Sequence, residues 1–308
     1  MTKLRTHNLT NIGFVLAALI LCSVAASAQV AITYPANSVL SDYKPSSILI
    51  FPKYTSNPSA PQLGDTQVNI TNTNQTQDVS LHLFAVDSSS CSVADSFITL
   101  TRNQTATFMM SDFDPGVTGY LFAVADNGGP TQFNWVIGDE YIRETDGRQS
   151  NLQAIGVAKL TAGGTATPNA MVFDGQEYER LPSSVGLSNF NSQVTDSTQV
   201  NLLIPTSDLT LGAPPPSTRI FTLVYNDTET AFSTSVPLSC YATFLINSLR
   251  ITGGVNTQVP AGRTGWIRFS SSSRPILGFA QNRGPVFNGG HNLHVLQLFS
   301  SYTITVPF

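Results

Sequence analysis

The sequence predicts an all-β protein: two related antiparallel β-sandwich halves of immunoglobulin-like kind, made by internal duplication and preceded by a cleaved signal peptide. Three observations carry that reading. Apolar residues recur at every second position in short runs, turn residues punctuate the runs, and a set of short motifs occurs twice in the same order.

The alternation is clearest at Val68 and Ile70, at Val79, Leu81, Leu83 and Ala85, at Phe221, Leu223 and Tyr225, and at Tyr302, Ile304 and Val306. A period of two places such side chains on one face of a half-buried strand, here with Ser80 and His82 opposite. Between the runs stand Asn72-Thr73-Asn74, Asp114-Pro115-Gly116, Asp126-Asn127-Gly128-Gly129 and Asn226-Asp227. These residues suit positive φ or a local side-chain hydrogen bond, and so mark turns. No dozen-residue segment has a helical stripe, and strands at this spacing without helices indicate sandwiches.

The repeat rests on D-T-Q-V-N-I at 65–70 against D-S-T-Q-V-N-L at 196–202, and on A-D-N-G-G-P at 125–130 against A-Q-N-R-G-P at 280–285. The second pair of motifs leads into Phe133-Asn134 and Phe287-Asn288. Between the first and second motifs each half holds one cysteine. The predicted boundaries are a signal peptide at 1–28, an N-terminal extension at 29–44, a first sandwich at 45–160, a Gly/Pro linker at 161–170 and a second sandwich at 171–308. A Pro-rich stretch at 213–216 reads as a long loop inside the second half.

Export is predicted by Lys3 and Arg5, an apolar run at 12–26 and an A-x-A site ending at Ala28. The run is shorter than the ~20 residues of a spanning helix, so no transmembrane anchor is expected after cleavage. The expected location is extracellular or at the cell surface, with the periplasm also open. Charged residues make up only 11% of the chain, and Ser, Thr, Asn and Gln replace them as surface residues. A net charge of −4 with scattered Lys and Arg excludes nucleic acid as a partner. Cys91 and Cys240 remain after cleavage, either to pair as a disulfide or to stay as two buried thiols.

Several long motifs resemble a family of secreted proteins from environmental bacteria of the acidobacterial kind that has no assigned activity. They are D-T-Q-V-N-I-T-N-T-N, D-P-G-V-T-G-Y, F-N-W-V-I-G-D-E-Y, A-G-R-T-G-W-I-R-F and F-N-G-G-H-N-L-H. The resemblance implies export and a bacterial source, and it brings no catalytic residue.

Candidate chemistry is sparse. His291 and His294 in G-G-H-N-L-H are a metal or ligand candidate only if a turn holds them together, since strand residues three apart diverge. Asp139 and Glu140 are a second candidate pair, diverging for the same reason. Asp112 and Asp114 read first as a turn. Glu177 and Glu179 would share a strand face, and are expected to be a solvated face beside Arg180. No G-x-S-x-G elbow occurs. The sequence therefore predicts no enzyme, no metal and no cofactor. It predicts a structural or interaction protein with an extracellular protein or polysaccharide as partner. A carbohydrate-binding sandwich is the alternative, with Trp135 or Trp266 stacking on sugar rings if either indole is exposed. A hydrolase and an outer-membrane barrel, the latter suggested by the alternating C-terminal strand, rank below both.

Overall fold

The apolar runs at 48–51, 83–86 and 120–125 are buried at every position, which a half-buried strand cannot be. They lie in β1 (Ile48–Thr55), β3 (Val79–Asp87) and β6 (Thr118–Asp126), the middle strands of a sheet covered on both faces. With β4 (Val93–Leu100) and β9 (Ile155–Val157) this sheet has the order β4-β3-β6-β1-β9. Alternate residues serve different cores. Leu49, Phe51, Leu81, Leu83, Leu121 and Ala123 face one, while Ile48, Ile50, Phe84, Val86, Tyr120 and Phe122 face another. Ser80 and His82, expected at the surface, are instead half-buried and buried respectively, because the second face is covered too.

The computed structural model describes residues 32–161, 169–210, 216–284 and 288–307, and residues 32–308 gather into one compact unit. The expected signal peptide, most of the expected linker and Phe287 lie outside the described residues.

The first of the two cores is closed by a second sheet, β5-β2-β7-β8. It is built from β2 (Asp65–Asn72), β5 (Thr105–Met109), β7 (Val136–Arg143) and β8 (Gln149–Gln153). Val68, Ile70 and Val136 contribute its inner face. A one-turn helix, α1 (Met110–Phe113), follows β5. The ladder of β1 shifts register between Phe51 and Tyr54. Pro52 lies in that gap and, having no N–H to give, favours a bulge over continuous pairing.

The chain then makes β10 (Ala170–Phe173), β11 (Pro182–Leu187), β12 (Gln199–Leu203), β13 (Thr218–Asn226), β14 (Ala231–Leu238) and β15 (Tyr241–Leu245). After a 3₁₀ turn and α2 (Val255–Gln258) come β16 (Gly265–Ser270), β17 (Leu277–Arg283), β18 (Asn288–Asn292), β19 (His294–Leu298) and β20 (Tyr302–Thr305). Their sheets have the orders β14-β13-β16-β11-β19 and β15-β12-β17-β18, packed over a core of Val185, Val200, Leu202, Val224, Ile267 and Phe269. The strand order of the first half thus recurs in the second with every number raised by ten. The last strand of each set, β10 and β20, pair with one another. All named strand pairs are antiparallel, and every sheet keeps two edges, so none closes into a barrel.

The correspondence extends to single residues. Gly119 near the start of β6 and Gly265 at the start of β16 stand where a neighbouring carbonyl leaves no room for a side chain. A Cβ would lie 1.9 Å from the Val86 oxygen in one and 2.3 Å from the Tyr225 oxygen in the other. T-G-Y-L-F at 118–122 and T-G-W-I-R-F at 264–269 therefore occupy matching places. The D-T-Q-V-N and S-T-Q-V-N motifs also match, in β2 and β12. The A-D-N-G-G-P and A-Q-N-R-G-P motifs do not: one lies at the end of β6 and the other at the end of β17.

The two halves share a core instead of meeting at a polar interface. The outer face of the first five-stranded sheet packs against Met171, Phe173, Leu203, Leu277, Ile304 and Val306. A Cys91–Cys240 disulfide joins the halves there, with both residues fully buried. The cysteines are not repeat equivalents, since one follows β3 and the other precedes β15.

Candidate functional site

The face that is buried in the first half is open in the second. Strand registers match the two faces row by row. In the first half, Val86 opposes Tyr120, Phe84 opposes Phe122, and Phe122 opposes Ile50. At the same places the second half has Tyr225 opposite Trp266, Leu223 opposite Arg268, and Arg268 opposite Gly186. Val124 and Ile48 are matched by Ser270 and Ser184, and Ile155 by His294. Where the first half has Phe122, Ile50, Val124, Ile48 and Ile155, the second has polar or small residues, while Trp266 stands at the place of Tyr120 and Tyr225 at that of Val86.

Alternation explains the exposure. Ile220, Val224, Ile267 and Phe269 turn inward, so Phe221, Tyr225, Trp266 and Arg268 turn outward. Phe221 is 50% exposed, Leu296 44% and Trp266 38%. The Trp266 and Tyr225 rings stack at 4.4 Å with an interplanar angle of 3°, so each covers one face of the other and an aromatic pair stands on the sheet. Beside it Arg268 is fixed, Nε donating to Ser184 Oγ (3.0 Å) and Ser270 Oγ (3.2 Å), and Nη2 to Gln297 Oε1 (2.7 Å). A groove of about 430 Å³ runs over β11, floored by Gly186 and walled by Trp266, His294 and Leu296. Large apolar patches on a protein surface mark interaction sites.

The residues singled out in the sequence fall in different places. Asp139 points outward and accepts a hydrogen bond from Asn69 Nδ2 at 3.0 Å, whereas Glu140 is fully buried, so the pair diverges. Neither Glu140 oxygen has a hydrogen-bond partner of normal geometry among the described residues. Burial raises its pKa well above the usual carboxylate range, although the Lys53 backbone N–H and charge act in the other direction. Lys53, itself buried, forms an ion pair with the half-buried Glu144, its ammonium 5.8 Å from the Phe279 ring centre.

His291 lies on β18 and His294 on β19, separated by Leu293, with ring centres 6.3 Å apart. Burial, and then His294, lower the His291 pKa. Only His294 reaches the groove over β11. No cluster of three or more His, Cys, Asp or Glu among the described residues is arranged to hold a metal. Asp114 ends α1 and accepts from the Tyr54 hydroxyl, a turn-fixing role.

The expected solvated face at Glu177 and Glu179 is not found. Both are buried: Glu179 pairs with Lys44 and accepts from Ser38 Oγ and the Ala158 N–H, and Glu177 lies 3.7 Å from the Lys159 ammonium. Their segment lies where the N-terminal extension crosses the fold, and packing there supplies a lysine for each carboxylate.

Trp135 is half-buried against the first core. Trp266 is therefore the indole that sequence reasoning left ambiguous and that the fold presents to solvent. Arg268 and Gly186 were not singled out in the sequence, and Tyr225 was expected with Phe221 and Leu223 on the strand's single lined face, whereas Ile220, Thr222 and Val224 are the residues that turn to the core. The signal for Arg268 is the residue-by-residue match of T-G-W-I-R-F to T-G-Y-L-F, with Arg in place of a core Phe. Comparison with protein-family models, with curated proteins and with solved structures finds no match to the chain.

Proposed function

We propose that the chain is an exported, non-enzymatic binding protein that holds an extracellular carbohydrate on the open face of its second half. The observation that carries this is the Trp266–Tyr225 platform beside the fixed Arg268. A sugar ring offers flat C–H faces to an aromatic π-surface and hydroxyls to neighbouring donors and acceptors. Trp, Tyr and Arg are also the residues that dominate binding energy at protein surfaces. Arg268 is already hydrogen-bonded in place, so little side-chain entropy is lost when a ligand arrives.

Self-association through the same face has less support. The matched face of the first half meets protein with apolar side chains such as Phe122, Val124, Ile48, Ile50 and Ile155, and the second half places Arg268, Ser270, Ser184, Gly186 and His294 at those positions. A buried partner surface would desolvate Arg268 without a carboxylate to receive it. We further infer that the shared strand order and the matching glycines reflect an internal duplication, after which one copy of the face kept its packing role and the other became a binding surface.

Affinity electrophoresis of residues 29–308 in gels containing hydroxyethylcellulose, xylan or galactomannan tests the reading. Trp266→Ala is expected to weaken retardation by roughly tenfold or more, a loss of about 1.4 kcal/mol. It should lower the melting temperature less than a core substitution does, because the indole is only partly covered. Unaltered retardation in Trp266→Ala would remove carbohydrate binding from this face.

A further inference from the structure

A second feature of the fold is independent of the aromatic face. The edge strands β8 and β18, repeat equivalents, meet side by side where the halves join. The Gln149 N–H donates to Asn288 Oδ1 (3.1 Å), Asn288 Nδ2 to the Gly147 carbonyl (3.1 Å), and Asn292 Nδ2 to the Gln153 carbonyl (2.9 Å). On either side of this junction lies a cleft, one of about 550 Å³ and the other of about 740 Å³, and both are lined by residues 288–290. Each cleft is in the size range of ligand pockets, ~300–1,000 Å³.

We infer that the two clefts are lobes of one groove across the seam, which binds a single extended chain of a neutral, hydroxyl-rich polymer. Its charge is balanced: Asp65 and Arg143 line the first lobe, Asp196 and Arg283 the second. A balanced groove gains nothing from a polyanion or a polycation. Its remaining polar lining is largely amide, and amides both donate and accept, as hydroxyls do. Tyr141, half-exposed in the first lobe, supplies an aromatic edge for a sugar ring.

Three polar groups at the walls lack a partner among the described residues. Asp65 Oδ2 and Ser150 Oγ belong to buried residues of the first lobe, and His291 Nε2 to the second. All three atoms are screened from solvent behind the walls, so a ligand reaches them only where the wall gives way. A peptide is the poorer occupant. Peptides bind sheets by adding a strand to a free edge, and here the two edges already face one another. Because both halves supply walls, the site exists only in the joined molecule.

Affinity electrophoresis with hydroxyethylcellulose, xylan, galactomannan and alginate separates this site from the one on the aromatic face. The variants are Trp266→Ala, Tyr141→Ala/Asn151→Ala, and the two combined. Trp266→Ala is expected to keep a residual retardation by a neutral polymer, and the combined variant to lose it by roughly tenfold. If Trp266→Ala alone abolishes retardation and Tyr141→Ala/Asn151→Ala changes nothing, the groove site is wrong and the aromatic face stands. The reverse pattern keeps the groove and removes the aromatic face. Retardation by alginate alone, or by none of the four polymers, overturns the neutral-polymer assignment.

Discussion

Replacing Cys91 and Cys240 together by alanine tests how the two halves are held. The bond closes a loop with a sequence separation of 149 residues. The chain-entropy relation gives roughly 5 kcal/mol for a loop of that length, near the top of the range seen for native disulfides. Alanine at both sites leaves no lone thiol, and it keeps a side chain at position 91, where the backbone is left-handed with φ 58°. Cys91→Gly would relieve that conformation and mask part of the loss. At about 2 °C per kcal/mol for a chain of this size, the double variant should melt roughly 10 °C lower. The assay is thermal unfolding followed by far-UV circular dichroism, with denaturant unfolding as a second measure. A loss below about 2 °C would refute the entropic reasoning. It would mean that the shared core already restricts the unfolding chain as much as the disulfide does.

Other predictions follow from buried groups. Glu140 has a folded-state pKa above its unfolded value, so the native state binds its proton more tightly, and stability falls as pH rises above the unfolded carboxylate range. Glu140→Gln should therefore match the wild type near pH 4 and exceed it increasingly towards pH 8, read as melting temperature against pH; a constant offset would contradict burial as the cause. Phe279→Ala should cost roughly 3–5 kcal/mol in denaturant unfolding, because this second-half side chain is fully buried against Ile142 and Leu152 of the first half. A cost below about 1 kcal/mol would place the halves in looser contact than described. Gly119→Ala should fail to accumulate as folded protein, since its Cβ would overlap the Val86 carbonyl oxygen. Recovery of stable Gly119→Ala with unchanged circular dichroism would contradict that close approach.

The sequence made some of this legible and concealed the rest for physical reasons. Alternation and turn residues are local signals, so the strands and the all-β class were readable. Burial of β1, β3 and β6 on both faces was also written locally, in continuous apolar runs such as 120–125, the mark of a strand covered twice. Reading Val79 to Ala85 as one-sided alternation passed over Phe84 and Val86, which fill the opposite face. Glu177 and Glu179 looked solvated because nothing adjacent in sequence reveals that Lys44 and Lys159 arrive from distant segments. The repeat was legible at β2 and β12, where the motif survives in place. Elsewhere a match of turn residues linked unrelated corners, because Asn, Gly and Pro recur wherever a chain reverses. The aromatic face could not be read from Trp266 alone. An indole among apolar neighbours is buried or exposed according to what covers its sheet, and coverage is a property of the whole fold.

The most direct test of the binding face uses its own fluorophore. In a Trp135→Phe variant the remaining indole is Trp266, and its emission can be followed while hydroxyethylcellulose, xylan or galactomannan is added. A sugar ring settling on the platform should shift the emission to shorter wavelength, saturably, as water leaves the indole. Emission that stays unchanged while the same polymer still retards the protein in a gel would contradict binding at Trp266.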